Sequence, residues 1–351
     1  MRMLFALVAM SVTANAQQPA AWQIEPLLPR PTGTQLNAVH LRGAHAIAVG
    51  EFGVVIVSTD SGATWKPVHA PTERALKGIA FADSAVAVAV GVAGTIIRTN
   101  DGGATWTAGA PTVPTELRAV TFANANVALA VGEGGAVLRS QDGGLNWAQV
   151  PSGTRGMLRA IAFVSATVAV AVGDNGTIVR STNGGAKWTS VSSHTSAALR
   201  GVAFSDERTG VAVGGDDRRW RAAQVELHTT DGGATWEKLT PFSDARLYAV
   251  SGAPGNFAAV GDSGTVLKSA DGGAEWARHA TVRSRAWMSG VSFGDAQHGV
   301  IVGADGLVQR TTDGGAKWSG MRDGPAGAML GPAGAMFGPA FSGPAGSIFG
   351  A

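Results

Sequence analysis

The feature that most constrains this chain is an eight-residue stretch that returns seven times in register. It reads Ser/Thr-x-Asp-x-Gly-x-x-Trp and starts at Ser58, Thr99, Ser140, Ser181, Thr229, Ser269 and Thr311. The closing tryptophans are Trp65, Trp106, Trp147, Trp188, Trp236, Trp276 and Trp318. Their spacing stays near forty residues except between Trp188 and Trp236, where it is longer. A fixed period of this size is the mark of a repeat architecture. The third position is Asp60, Asp101, Asp142, Asn183, Asp231, Asp271 or Asp313. Its side chain can accept backbone N–H bonds within a tight turn, and the glycine tolerates positive φ. The tryptophan then buries a large apolar area at the start of a strand. The stretch is a hairpin fastener rather than a reaction centre.

Between fasteners each unit reads as four short strands. The third unit shows it: Leu117–Phe122, then Val127–Val131, then Ala136–Arg139, then Trp147–Val150, with Gly132-Glu133-Gly134-Gly135 as a turn. The runs are rich in Val and Ala without strict alternation, as expected of sheets covered on both faces. With 50 glycines and only 15% charged residues, the composition suits many short strands and tight turns. Seven first strands and seven fasteners predict an all-β fold, a seven-bladed β-propeller of four-stranded blades with Asp-box hairpins. Trp22-Gln23-Ile24-Glu25-Pro26 resembles a further fourth strand that competes with Trp318–Met321 for the edge of the last blade, a choice the sequence leaves open.

The remaining segments divide the chain. Residues 1–16 read as a secretory signal: Arg2, an apolar run from Leu4 to Val12, and Ala14-Asn15-Ala16 as a cleavage site. That run is too short to span a bilayer. Residues 17–322 are the propeller. Residues 323–351 are a Gly/Pro/Ala-rich low-complexity tail, read as disordered, with an apolar tether as the alternative. The expected location is the periplasm or outside the cell. Without the signal, 26 basic residues face 25 acidic ones, which is no nucleic-acid footprint.

Catalytic and metal signals are weak. The seven histidines show no ligand spacing, and no phosphate-loop pattern follows a strand. Neither a cofactor nor a metal is expected. Glu51, Glu133, Asp174, Asp262 and Asp305 all fall in glycine-bounded bends, where turn chemistry accounts for them. Tyr248 is the only tyrosine, with Arg246 the one arginine close to it in sequence and no glutamate nearby.

The sharper signal is the second position of the inner strands: Asn37, Lys77, Arg118, Arg159, Arg200, Tyr248 and Ser289. Rotation from blade to blade places equivalent positions in a ring at one height, at the channel mouth opposite the fasteners. The long interval reflects an insertion in blade five, Gly215-Asp216-Asp217-Arg218-Arg219-Trp220-Arg221, which projects on the same face. Arg and Trp dominate binding hot spots, and Arg grips carboxylates in a two-point fork. Lys77, Arg118, Arg159, Arg200, Arg218, Arg219, Trp220 and Arg221 are therefore the candidate partner-binding residues. The competing account is structural: Arg118 pairs with Glu133, Arg159 with Asp174, and Arg218 with Asp216 or Asp217.

The seven fasteners resemble the Asp-box (BNR) repeat proteins. With the Leu-Arg-Ala-Val/Ile inner strands over residues 20–320, they look like the photosystem II assembly and stability factor family and its bacterial relatives. That resemblance implies a non-enzymatic lumenal or periplasmic scaffold that assists a membrane complex by holding a protein segment. It also implies that an arginine patch makes the contact; the matching positions are Arg118, Arg159 and Arg200. The implied partner is an acidic or C-terminal segment of a membrane protein, with the propeller a monomer, peripheral to the membrane at most. The alternative is a secreted sialidase-like glycoside hydrolase or a carbohydrate-binding propeller, which the resemblance of Asp boxes to those of sialidases raises.

Overall fold

In the computed structural model, residues 32–110, 113–215, 224–241, 244–253, 255–278 and 286–320 are described. The signal, the strand expected at Trp22–Pro26, the insertion residues Arg218, Arg219, Trp220 and Arg221, and the tail lie outside them. The described residues form seven four-stranded antiparallel sheets, each with its strands in sequence order. Blade three runs Leu117–Phe122, Ala128–Gly132, Val137–Ser140 and Ala148–Gln149. The architecture is a seven-bladed propeller, as the repeat count predicts. Among the described residues no helix is long and apolar enough to cross a membrane.

Second strands are buried along nearly their whole length, as at Ala87–Gly91 and Ala128–Gly132, because blades pack on both of their faces. The core is accordingly seven inter-blade layers rather than one centre. In one layer Ile47, Val49 and Val55 of blade one meet Leu76, Ile79 and Trp106 of blade two. The layer that closes the ring joins Leu36, Leu41 and Trp65 to Val300, Val302 and Val308. The Leu41 N–H donates to Ser292 Oγ across this seam at 3.0 Å. Ser319–Gly320 pairs with Val308–Thr311 and so occupies the fourth position of the last blade.

The fasteners share one hydrogen-bond pattern. Thr64 N–H donates to Asp60 Oδ1 (2.8 Å) and Gly62 N–H to Ser58 Oγ (2.9 Å). The same two bonds recur around Asp101, Asp142, Asp231, Asp271 and Asp313. Asn183 serves equally well because its carbonyl oxygen keeps the acceptor (Lys187 N–H, 2.8 Å). Burial pushes the Asp60 carboxyl up, but the bonds it accepts from Thr64 and Ser58 outweigh this and hold it down at about 2. The tryptophans close the turns; Trp106 is 8% exposed and donates Nε1–H to Gly103 O at 3.1 Å.

A contact that the sequence reading missed, made from the position just before the fastener, ties one blade to the next. Arginines on third strands donate Nε–H to a carbonyl in the following blade's fastener: Arg98 to Gly143 (2.9 Å), Arg139 to Gly184 (2.8 Å), Arg180 to Gly232 (2.9 Å). Arg310 does the same across the closing seam, to Ser61 O at 2.9 Å.

Candidate partner-binding mouth

All seven ring residues sit at a break in strand register. Leu117 opposes Gly132 and Ala119 opposes Val131, so Arg118 has no partner on the second strand. The same shift leaves out Asn37, Lys77, Arg159, Arg200, Tyr248 and Ser289. An extra residue in one strand re-aims its side chain. Here the bulge turns seven side chains into the channel.

The bulge has a local cause. In six blades the residue before the first strand presents its carbonyl to the turn that follows the second strand. Glu133 N–H donates to Glu116 O (2.9 Å), Asp174 N–H to Met157 O (2.9 Å), Asp262 N–H to Arg246 O (3.0 Å). The glycine ending the second strand leaves room for that carbonyl. A Cβ on Gly132 would stand 1.9 Å from Glu116 O, and one on Gly261 1.9 Å from Arg246 O.

The seven ring side chains line one cavity of about 400 Å³, together with Gln35, Trp287 and the small residues that follow each ring position. Adjacent first strands approach closely beneath the ring; a Cβ on Gly78 would stand 2.8 Å from Arg118 O. Small residues at this position narrow the channel below the mouth. The cavity is thus a cup on one face, and the fasteners lie on the other, where they bond to the first-to-second turn of their own blade (Gly143 N–H to Asn126 O, 2.8 Å).

The ring's charges are partly met by acids. Arg159 grips Asp174 at two points, Nη2–H to Oδ2 at 3.1 Å and Nε–H to Oδ1. This is the pairing expected from sequence. Arg118 differs: its ion pair is with Glu116 at 2.5 Å, not with Glu133. Glu116 immediately precedes the bulged strand, whereas Glu133 starts a turn whose N–H, rather than its carboxylate, reaches back. Lys77 crosses to the preceding blade and pairs with Glu51 (2.5 Å), which also accepts from Asn37 Nδ2 at 2.9 Å. Burial raises the Glu51 carboxyl, but the bonds from Lys77 and Asn37 leave it below its ordinary value. Burial lowers the Arg118 guanidinium; Glu116 opposes this, and repulsion from Arg159 and Arg200 adds to it. Three arginines therefore share one field at the mouth.

The other half of the ring is organised by Tyr248. Its hydroxyl donates to Asp262 Oδ1 at 2.8 Å, and Arg246 holds the second oxygen of that carboxylate at 3.1 Å. The Arg200 guanidinium carbon lies 5.4 Å from the centre of the tyrosine ring. Sequence proximity missed Asp262, fourteen residues away and reached only through the fold. Burial and the bond to Asp262 push the phenol up to about 12. Trp287, also absent from the sequence reading, lines the cup and is 46% exposed. Among the described residues no cluster of three or more His, Asp or Glu is placed to hold a metal.

A family model described as photosynthesis system II assembly factor YCF48 matches residues 57–218, the span that contains Lys77, Arg118, Arg159 and Arg200. No curated protein matches significantly by sequence. Among solved structures, YCF48 bound to D1 peptide is 21% identical with a TM-score of 0.66, over 81% of this chain and 95% of that one. YCF48 from Cyanidioschyzon merolae is 21% identical with a TM-score of 0.65, over 82% and 97%. A GH74 xyloglucanase from Xanthomonas campestris is 15% identical with a TM-score of 0.69, over 84% of this chain and 55% of that one. At these identities the structural likenesses speak for the fold alone. With the family match over residues 57–218 and seven blades in register, the chain is a seven-bladed propeller similar to the YCF48 BNR-repeat family.

Proposed function

We propose that this protein is a non-enzymatic scaffold that holds an acidic segment of a membrane-complex subunit in its channel mouth, outside the cytoplasm, to assist assembly or stability of that complex. The observation that carries the reading is the side-by-side placement of Lys77, Arg118, Arg159 and Arg200 around one cup. The planar, fixed fork of the arginine guanidinium recognises carboxylates well. A propeller of similar fold takes a D1 peptide. In an organism without photosystem II, the same cup serves another envelope complex. The insertion residues Arg218, Arg219, Trp220 and Arg221 are proposed as part of the same contact.

The test is charge removal and reversal that spares the Arg159–Asp174 pair. Arg118→Gln, which places no carboxylate beside Glu116, with Arg200→Glu is expected to abolish crosslinked recovery of a membrane partner from the native envelope while the melting temperature stays near wild type. Undiminished recovery sinks the reading, and collapse of the fold assigns the ring to structure instead.

One observation favours a second reading, a sialidase-like hydrolase: Tyr248 and three arginines face one cavity, and the Tyr248 hydroxyl bonds to Asp262. The phenol argues against it. Its hydroxyl bonds to Asp262 as a nucleophile would to its base, but Arg246 neutralises that carboxylate, and burial with the bond pushes the phenol up to about 12. Turnover of a sialoside or glycoside panel, lost in Tyr248→Phe, would establish the enzyme.

A further inference from the structure

The ring is divided by charge. Blades two to five contribute Lys77, Arg118, Arg159 and Arg200, whereas blades six, seven and one contribute Tyr248, Ser289 and Asn37, none charged at neutral pH. On the uncharged side stands Trp287. Three large apolar side chains are exposed among the described residues, Phe52, Leu145 and Trp287, and of these Trp287 lines the cup. It plays no part in a fastener. Its ring lies 6.4 Å from that of Tyr248 at 56°. Tyr248 is itself held on its hydroxyl by Asp262 and approached by the Arg200 guanidinium. The pair therefore forms a preset, tilted apolar wall facing a row of cations. Rigid aromatic walls bind with little loss of side-chain freedom.

We propose that the mouth selects a peptide segment in which an acidic residue lies within a few positions of a bulky apolar side chain, with Trp287 and Tyr248 as the residues that determine the apolar preference. This rests on the reading of the cup as a peptide site. The carboxylate meets the shared field of Arg118, Arg159 and Arg200, and the apolar side chain covers the exposed face of Trp287. A cup of about 400 Å³ is at the small end of ligand pockets. It accepts a few side chains of an extended segment rather than a folded surface. An oligosaccharide fits less well, because it stacks on flat, open rings, and these two rings are tilted with the Arg200 guanidinium against one of them.

The test uses the full chain and three fluorescein-labelled peptides: one with two glutamates and a following leucine, one with the leucine replaced by serine, and one with the glutamates replaced by glutamine. Burial of a leucine side chain is worth about tenfold in affinity or more. Wild type is expected to bind the leucine peptide about tenfold tighter than the serine peptide, and the glutamine peptide weakest. Trp287→Ser is expected to erase most of the leucine preference and leave the affinity for the serine peptide within about twofold. Trp287→Phe restores the preference. Melting temperature checks that each variant is folded.

Equal preference in wild type and Trp287→Ser overturns the proposal and leaves the peptide reading standing. Binding of polygalacturonate or sialyllactose in place of every peptide overturns both. Failure of all three peptides and both sugars also overturns both.

Discussion

The carbonyl oxygen of Met157 stands 1.9 Å from the point that a Cβ on Gly173 would occupy. Gly173 has φ −167°, an extended conformation open to any residue, so the glycine is there for close approach and not for handedness. The contact lets Asp174 N–H reach Met157 O and forces the bulge that points Arg159 into the cup. The glycine of the second strand and the cation of the first are two parts of one device.

Gly173→Ala is therefore expected to destabilise by about 3 kcal/mol, since overfilling a packed site moves backbone. Gly134→Ala is the control. It has φ +68° with open space around its Cβ position, and Ala93 already holds φ +54° in the same place in blade two. Its expected cost is about 1 kcal/mol or less. Urea unfolding of both variants checks this; equal costs would mean that the Met157 carbonyl yields freely.

A half-buried imidazole and a buried carboxyl titrate in opposite directions. The neutral His40 imidazole accepts Phe81 N–H at 3.0 Å, and burial, with Arg42 adding, lowers it to about 4. Its folded value lies below its unfolded 6.5, so the stability it contributes is present above pH 6.5 and lost as pH falls towards 4. Glu226 stands where the other blades carry Val or Ile, as at Val55 and Val137, and burial raises it to about 7 against a bond from Gln224. Its contribution is present below about 4.5 and lost as pH rises through 7. Each swing is on the order of 3 kcal/mol. Glu226→Gln is expected to gain on wild type as pH rises from 4.5 to 8, and the gap between His40→Gln and wild type to narrow as pH falls from 6.5 to 4. Denaturation across pH reads both; parallel curves would show that neither group titrates differently on folding.

Phe52 holds φ 55°, ψ 30° while 77% exposed. A bulky side chain in the left-handed region costs about 1 kcal/mol relative to asparagine, which tolerates it. Blade four has Asn175 at φ 55° in the same turn position. Phe52→Asn should raise stability by about 0.5–1 kcal/mol, measured by urea unfolding. A loss would reveal packing by the phenyl ring that offsets the strain.

Arg310 fastens the closing seam through Ser61 O. Arg310→Met keeps the stem and removes a charged hydrogen bond, at a cost of about 2 kcal/mol. Arg139→Met should cost the same, because it makes the equivalent bond within the ring. Both variants should unfold in one transition. A second step in Arg310→Met alone would show that the ring opens at its seam.

Much of the fold was legible because each fastener is local. Ser58, Asp60, Gly62 and Trp65 satisfy one another within one turn, so the pattern can be counted along the chain. The ring list was legible for a related reason: rotation carries equal positions to equal heights. Partners were harder. Glu116 rather than Glu133 meets Arg118, and Glu51 meets Lys77 from the neighbouring blade, because the bulge and the inter-blade approach decide which carboxylate is within reach.

By itself the sequence determined seven blades, the strand that lines the channel and the residue in each blade that faces the mouth, since these follow from a repeat and its phase. Only the tertiary structure decided that Tyr248 joins Asp262 and Arg200, that Trp287 walls the cup, and that third-strand arginines bind blade to blade. Those contacts join residues from different turns and blades, and no local periodicity records which side chains a closed ring brings face to face.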